Sequence, residues 1–194
     1  MTHRRWSILL YAMLAAAAAF GEHRSRAELV AVPIELQAEL LAKVAAYDRN
    51  MALRAGDRLQ VLLLTNAADA ESTRFATRMQ MALSSITQIS GLAHDERVAP
   101  FGGAADLVQQ CRTRRIAIVI FAPGLGNHVP AIREALAGVD VLTVAAVPDY
   151  VQQGVVLGFD VVSGKPKLLV HLTQARRQHV ELRAEVLKLM RVFE

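Results

Sequence analysis

Residues 116–121 read IAIVIF, an uninterrupted apolar run rich in β-branched side chains. Such a run has no polar face to turn to water. It fits a strand covered on both faces, as in a parallel sheet packed between helices. Two more runs of strand length accompany it, LQVLLL at 59–64 and VDVLTVA at 139–145. A chain that must cover both faces of three such strands has few folds open to it.

The intervening segments supply the cover. From Pro33 to about Met51 the spacing predicts a helix, with Leu36, Leu40, Val44 and Tyr47 on one face. Pro33 suits its first turn, and Glu35 and Glu39 complement its positive end. A second helix is expected from about Asp69 to Ile86, with Phe75, Met79, Leu83 and Ile86 inward. Ala104 to Arg114 reads as a short helix, and another follows Pro123-Gly124-Leu125-Gly126-Asn127 and runs to about Ala137. Residues 87–103 are the least regular, with a short strand expected near Val98 and a solvated loop at His94-Asp95-Glu96. Strand and helix alternating in this way imply right-handed crossovers and a mostly parallel sheet. After Tyr150 the pattern changes to strand, tight turn at Ser163-Gly164-Lys165-Pro166, and strand, which predicts an antiparallel hairpin. Thr173 to Phe193 reads as a closing helix, with Leu182, Val186, Leu189 and Phe193 on one face. The expected architecture is therefore one three-layer αβα domain over residues 33–194, with a C-terminal hairpin and a closing C-terminal helix.

The first residues do not belong to that domain. Arg4 and Arg5 precede an uncharged apolar stretch from Trp6 to Phe20. As a helix it would be about 22 Å long, short of a ~30 Å hydrocarbon core. A basic start, a short apolar stretch and small residues form the layout of a secretory signal peptide. The expected leader is residues 1–21, with cleavage near Ala19 or Gly21 and an outer alternative at Ala27. The expected location is the periplasm or another exported site.

Export changes the charge argument. The full chain carries a formal net charge of +4. Residues 1–27 hold Arg4, Arg5, Arg24, Arg26 and Glu22, so the remainder has 18 basic and 17 acidic residues and a net charge of +1. With aromatics at 5% and no basic stripe interleaved with them, nucleic-acid binding is not expected. The single cysteine, Cys111, excludes an internal disulfide and a thiolate zinc site.

Catalytic signatures are missing. There is no G-x-S-x-G elbow, and neither His171 nor His179 has a recognisable partner. Cys111 lies on the inward side of its helix beside Arg112, Arg114 and Arg115, where it reads as a small buried hydrophobe. Asp140, Asp149 and Asp160 lie near strand ends, which is a matter of location only. Gly124-Leu125-Gly126-Asn127 follows a strand and opens a helix, so its backbone N–H groups could hold an anion. It lacks the third glycine of a dinucleotide fingerprint and the Lys-Ser or Lys-Thr of a P-loop. The alternative is a tight turn with Asn127 as the helix cap. The candidate ligand- or partner-binding residues are Gly124, Gly126, Asn127, Asp149 and Tyr150, in loops expected to line a cleft at the strand ends. No catalytic residue, metal or cofactor is expected.

The segment from Gly154 to Phe193 resembles the end of the YfiR/HmsC-like family of exported bacterial proteins. The matching positions are Gly154, Phe159, Gly164, Lys165, Pro166, Leu169, Ala175, Arg176, Val186, Leu187, Lys188 and Leu189. Upstream, VLTVAAVPDYVQQG and LLAKVAAYDRN resemble the family's strand before that glycine and its first helix. The sequence departs from the family pattern at His171, where an Asn is usual, and at Asp48-Arg49-Asn50, where an aromatic-Pro pair is usual. The resemblance implies a non-enzymatic α/β periplasmic protein whose partner is an envelope or inner-membrane protein. In studied members that partner is a membrane-bound diguanylate cyclase, restrained through its periplasmic part. The resemblance is also compatible with a homodimer. A small-molecule binding domain for an anion or metabolite is the alternative.

Overall fold

The first helix, α1 (Ile34–Ala45), begins directly after Pro33 and carries Glu35 in its first turn and Lys43 in its last. The computed structural model that shows it describes residues 30–194. The leader expected at residues 1–21, with its outer cut at 27, lies outside the described residues. Ile34, Gln37, Ala38, Leu41, Val44 and Ala45 form the buried face of α1. Leu36 and Leu40 are only half-buried and Tyr47 is exposed, so the inward face is turned from the one expected. The Leu spacing fits two neighbouring faces, and packing against the next long helix selects between them.

A short helix, α2 (Met51–Ala55), ends at Gly56 and leads into β1 (Leu59–Thr65). Helix α3 (Ala70–Ser84) starts from Asp69, whose side chain accepts the Glu71 N–H. It packs against α1 and buries Phe75, Met79 and Leu83. Then come β2 (His94–Pro100), α4 (Ala104–Arg114) and β3 (Ile116–Phe121). A 3-10 turn (Gly126–His128) opens α5 (Val129–Ala135), which precedes β4 (Leu142–Ala145). The remaining elements are α6 (Asp149–Gln152), β5 (Leu157–Val162), β6 (Lys165–His171), α7 (Leu172–Arg177), α8 (Ala184–Leu187) and β7 (Met190–Phe193).

The strands form a seven-stranded sheet in the order β2-β1-β3-β4-β5-β6-β7. Pairs from β2 through β5 are parallel, β5 and β6 are antiparallel, and β6 and β7 are parallel. All of β3 is buried, as its composition requires. Right-handed crossovers place α3 on one face and α4 and α5 on the other, because the chain steps across the sheet in opposite directions on leaving β1 and β2. The packing of α1 on α3 and of α4 on α5 agrees. This is the three-layer arrangement expected. The hairpin turn is Ser163-Gly164, both at positive φ (52° and 74°), a backbone that suits the right-handed twist of the flanking strands.

Three expectations are corrected. The C-terminal segment is not one closing helix: α7 stops at Arg177, His179 takes a φ of 53°, and the chain ends as β7 alongside β6. Leu168 pairs with Met190 and Val170 with Val192, and this pairing gives the strand backbone partners that a helix would have found within itself. His94-Asp95-Glu96 is not a loop but the start of the edge strand β2. Its alternating exposure and charge suit an edge with water on one side. Asn127 does not cap α5. It lies exposed within the 3-10 turn, and His128 occupies the cap position without a side-chain hydrogen bond.

Candidate functional site

The strand order reverses direction between β1 and β3. In open α/β sheets the crevice outside the carboxyl ends of the strands at such a point is where ligands collect. Here the crevice is built from the loops that follow Thr65 and Phe121. The Asn66 side-chain amide donates to the Gly124 carbonyl at 2.8 Å, and its Oδ1 accepts the Ala68 N–H at 3.0 Å. Ser72 Oγ accepts the Asn66 N–H at 2.8 Å. Gly124 has a φ of +85°, and a Cβ there would lie 2.4 Å from Asp69 Oδ2. Glycine is therefore required both by the backbone and by the approach of the α3 cap. Phe101, after β2, sets its ring 4.8 Å from that of His128.

The candidate residues divide. Gly124 and Tyr150 are brought together, since the Leu125 N–H donates to the Tyr150 phenol at 2.9 Å. Tyr150 is only 1% exposed, so it plugs the space between the two loops and does not line an open cleft. Gly126 is half-buried, and Asn127 and Asp149 are exposed. Asp140 stands before β4, at the other end of the sheet, and pairs with Arg54. Asp160 accepts the N–H of its own neighbour Val161. These carboxylates do not converge.

An open cleft of about 670 Å³ lies next to the sealed loops. One wall is the extended segment from Val30 to Ile34, the other is the first turns of α3, and Pro123 touches its floor. Val30, Val32, Ile34, Phe75 and Pro123 make it apolar, while Glu71, Arg74 and Arg78 charge its rim. Arg78 donates to Glu35 at 2.9 Å and Arg74 contacts Glu71. A backbone N–H and the Arg78 guanidinium hold the Glu35 carboxyl below its ordinary range. A volume of this size with few polar groups suits a small organic molecule. Sequence reasoning missed this cleft. The one signal was Arg74 and Arg78, four apart on α3 and flanking Phe75.

Two buried polar clusters were also missed. Arg54 is clasped by Asp48 at 2.5 Å and Asp140 at 2.9 Å and donates to the His179 carbonyl at 3.1 Å. Asp48 in turn accepts the N–H groups of Asn50 and Glu181, each at 3.1 Å. The α1–α2 turn is thereby locked to the C-terminal segment. Near β4, Gln178 links Thr143, Gln174 and the Val141 carbonyl. His171 Nδ1 accepts the Gln174 N–H at 3.2 Å and caps α7.

Burial pushes the Cys111 thiol up to about 12, so it is not a thiolate at neutral pH. His94 contacts Glu96 and the Ile86 carbonyl. Among the described residues, no three His, Cys, Asp or Glu side chains group to hold a metal, and no helix is long and apolar enough to cross a membrane.

The architecture recurs in solved structures. An ABC domain in complex with L-Trp from Streptococcus pneumoniae superposes with a TM-score of 0.57 at 10% identity, covering 84% of this chain and 62% of that one. A conserved domain protein from Vibrio cholerae gives 0.54 at 13% identity, covering 84% and 60%. A ligand-free, open substrate-binding protein with adhesive properties from Clostridium difficile gives 0.51 at 10% identity, covering 75% and 57%. The chain spans about three fifths of the length of these structures, and at such identities they share its fold alone. No curated protein matches the sequence. The YfiR/HmsC-like family model matches residues 35–191, which takes in β1 to β6, the first half of β7 and all but the first residue of α1. On that match the chain belongs to the YfiR/HmsC-like family.

Proposed function

We propose that this chain is a non-enzymatic regulatory protein of the periplasm that acts by contact with a membrane-bound signalling enzyme of the diguanylate cyclase type. The observation that carries the reading is the family match over residues 35–191. The basic, apolar leader supports export. The hydrogen-bonded ring of His94, the capping role of His171 and the burial of Cys111 agree with a protein that works by touch. Regulation of this kind is differential binding: the chain shifts its partner only by holding one state more tightly than the other. A preference of about 1.4 kcal/mol changes the ratio of states tenfold. Affinity isolation of the tagged chain from detergent-solubilised envelopes tests the reading. A co-isolated membrane protein with a cyclase domain is the expected result, and a chain recovered alone would contradict it.

A second reading is binding of a small anion or metabolite, and the cleft of about 670 Å³ favours it. A specific ligand raises the unfolding temperature by mass action. A thermal-shift panel of anions and metabolites checks this, and R74E or R78E should remove any shift that depends on the cleft.

A further inference from the structure

A smaller groove of about 210 Å³ opens between α2 and α4, where Ile116 begins β3 and Val139 and Asp140 lead into β4. It is therefore at the opposite end of the sheet from the strand-end loops. Cys111, Ile116 and Val139 give it a buried apolar floor, and Leu53, Arg112 and Arg115 stand around it. Helix α2 turns Met51, Arg54 and Ala55 inward, which forces Leu53 outward. At 78% exposure Leu53 is the most exposed large apolar side chain among the described residues.

The charges around Leu53 are unbalanced. Arg49, Arg58, Arg78 and Arg177 each pair with a carboxylate. Arg112 and Arg115 are exposed and pair with none among the described residues. The carboxylate in the groove wall, Asp140, is held by Arg54 at 2.9 Å. An exposed leucine alone needs no explanation. An exposed leucine beside two unpaired guanidinium groups, over an apolar floor, offers a partner both hydrophobic contact and charge complementarity.

We infer that this groove docks an acidic segment of the regulated partner, whose carboxylates pair with Arg112 and Arg115 while an apolar side chain packs against Leu53. The inference rests on the regulatory reading above and names the surface that serves it. A guanidinium donates to a carboxylate bidentately, so two of them fix the register of the segment as well as its charge. The groove has room for one side chain and not for a folded ligand. It holds no aromatic platform on which a nucleobase would stack.

Photo-crosslinking from the full chain in the cell envelope tests this. p-Benzoylphenylalanine is placed at Leu53, and separately at Val161 on the exposed hairpin, and the crosslinked partner fragment is sequenced by mass spectrometry. The expected result is a membrane-protein crosslink from Leu53 onto a fragment rich in Asp and Glu. It should fall at least tenfold when Arg112→Glu and Arg115→Glu are combined, and less with Arg112→Gln and Arg115→Gln, with unfolding temperature recorded for each variant. Crosslinks from Val161 but not from Leu53 would leave the regulatory reading standing and overturn the inference. So would Leu53 crosslinks onto a basic or uncharged fragment, or crosslinks that survive charge reversal. No crosslink from either position would count against both.

Discussion

The phenolic oxygen of Tyr150 accepts the backbone N–H of Leu125 at 2.9 Å, and this bond ties the loop after β3 to the helix after β4. Two loops that sequence reasoning treated as the lips of one cleft are instead sewn shut at that point. The open space lies one step away, between the chain entering α1 and the first turns of α3.

Tyr150→Phe keeps the ring and removes the acceptor, so the Leu125 N–H is left buried without this partner. The expected loss is about 1–3 kcal/mol. Tyr150→Ala also removes the buried ring and should cost about 3–5 kcal/mol. Urea unfolding of the two variants checks the order, and a Tyr150→Phe protein as stable as the parent would show the bond to be dispensable.

The Asp48–Arg54 pair is almost wholly buried, with side-chain exposures of 0% and 2%, whereas Asp140 is 46% exposed. Removing one member of a buried pair strands the other's charge, so Arg54→Ala and Asp48→Ala should each cost about 3–5 kcal/mol. Asp140→Ala should cost under about 1 kcal/mol, as for a solvent-screened pair. Equal losses at Asp48 and Asp140 in chemical denaturation would contradict this ranking.

Gly124→Ala and Gly138→Ala separate two roles of glycine. Both positions have positive φ, +85° and +76°. A Cβ at Gly124 would meet Asp69 Oδ2 at 2.4 Å, while nothing lies within 4 Å of one at Gly138. The Gly138 variant should lose about 1–2 kcal/mol from backbone strain alone. The Gly124 variant should lose a further ~1 kcal/mol as the α3 cap is displaced. Melting temperatures of the two, measured side by side, test the difference.

Acid should weaken the fold through His171. Burial and, secondly, the Arg133 charge hold its imidazole below the ordinary value of 6.5. As pH falls, the unfolded chain takes up this proton before the folded one does. The stability from this site is therefore fully present above the ordinary value, and it declines as pH drops below it, until the folded imidazole is itself protonated. His171→Asn replaces the cap of α7 with a side chain that caps without titrating. The variant should show a smaller drop in melting temperature between about pH 7.5 and 5.5 than the parent. An equal drop would assign the acid sensitivity elsewhere.

Much of this fold was legible because local pattern and final environment agree. Helix α4 and strand β3 fall where periodicity and an unbroken apolar run put them, at Ala104–Arg114 and Ile116–Phe121. The end of the chain was not legible. Leu182, Val186, Leu189 and Phe193 keep helical spacing, yet Met190–Phe193 is a strand because β6 offers a parallel edge, and such pairing leaves no local trace. At His171 the departure from the expected Asn keeps a side chain that caps α7. The Asp48–Arg54 clasp was hidden for a different reason. Charged residues are read as solvated by default, and nothing in the spacing of these two tells them from a surface pair. The cleft beside α3 escaped notice because one wall is an extended segment with no pattern of its own.

The claim that this chain restrains a cyclase by contact is tested most directly by measuring cellular cyclic di-GMP with the gene deleted, restored, and restored as the Leu53→Asp, Arg112→Glu, Arg115→Glu triple variant. The account predicts a rise of at least severalfold on deletion, a return to the parental level with the native chain, and no return with a stably folded triple variant. A nucleotide level that is the same in the parent and the deletion strain would contradict it.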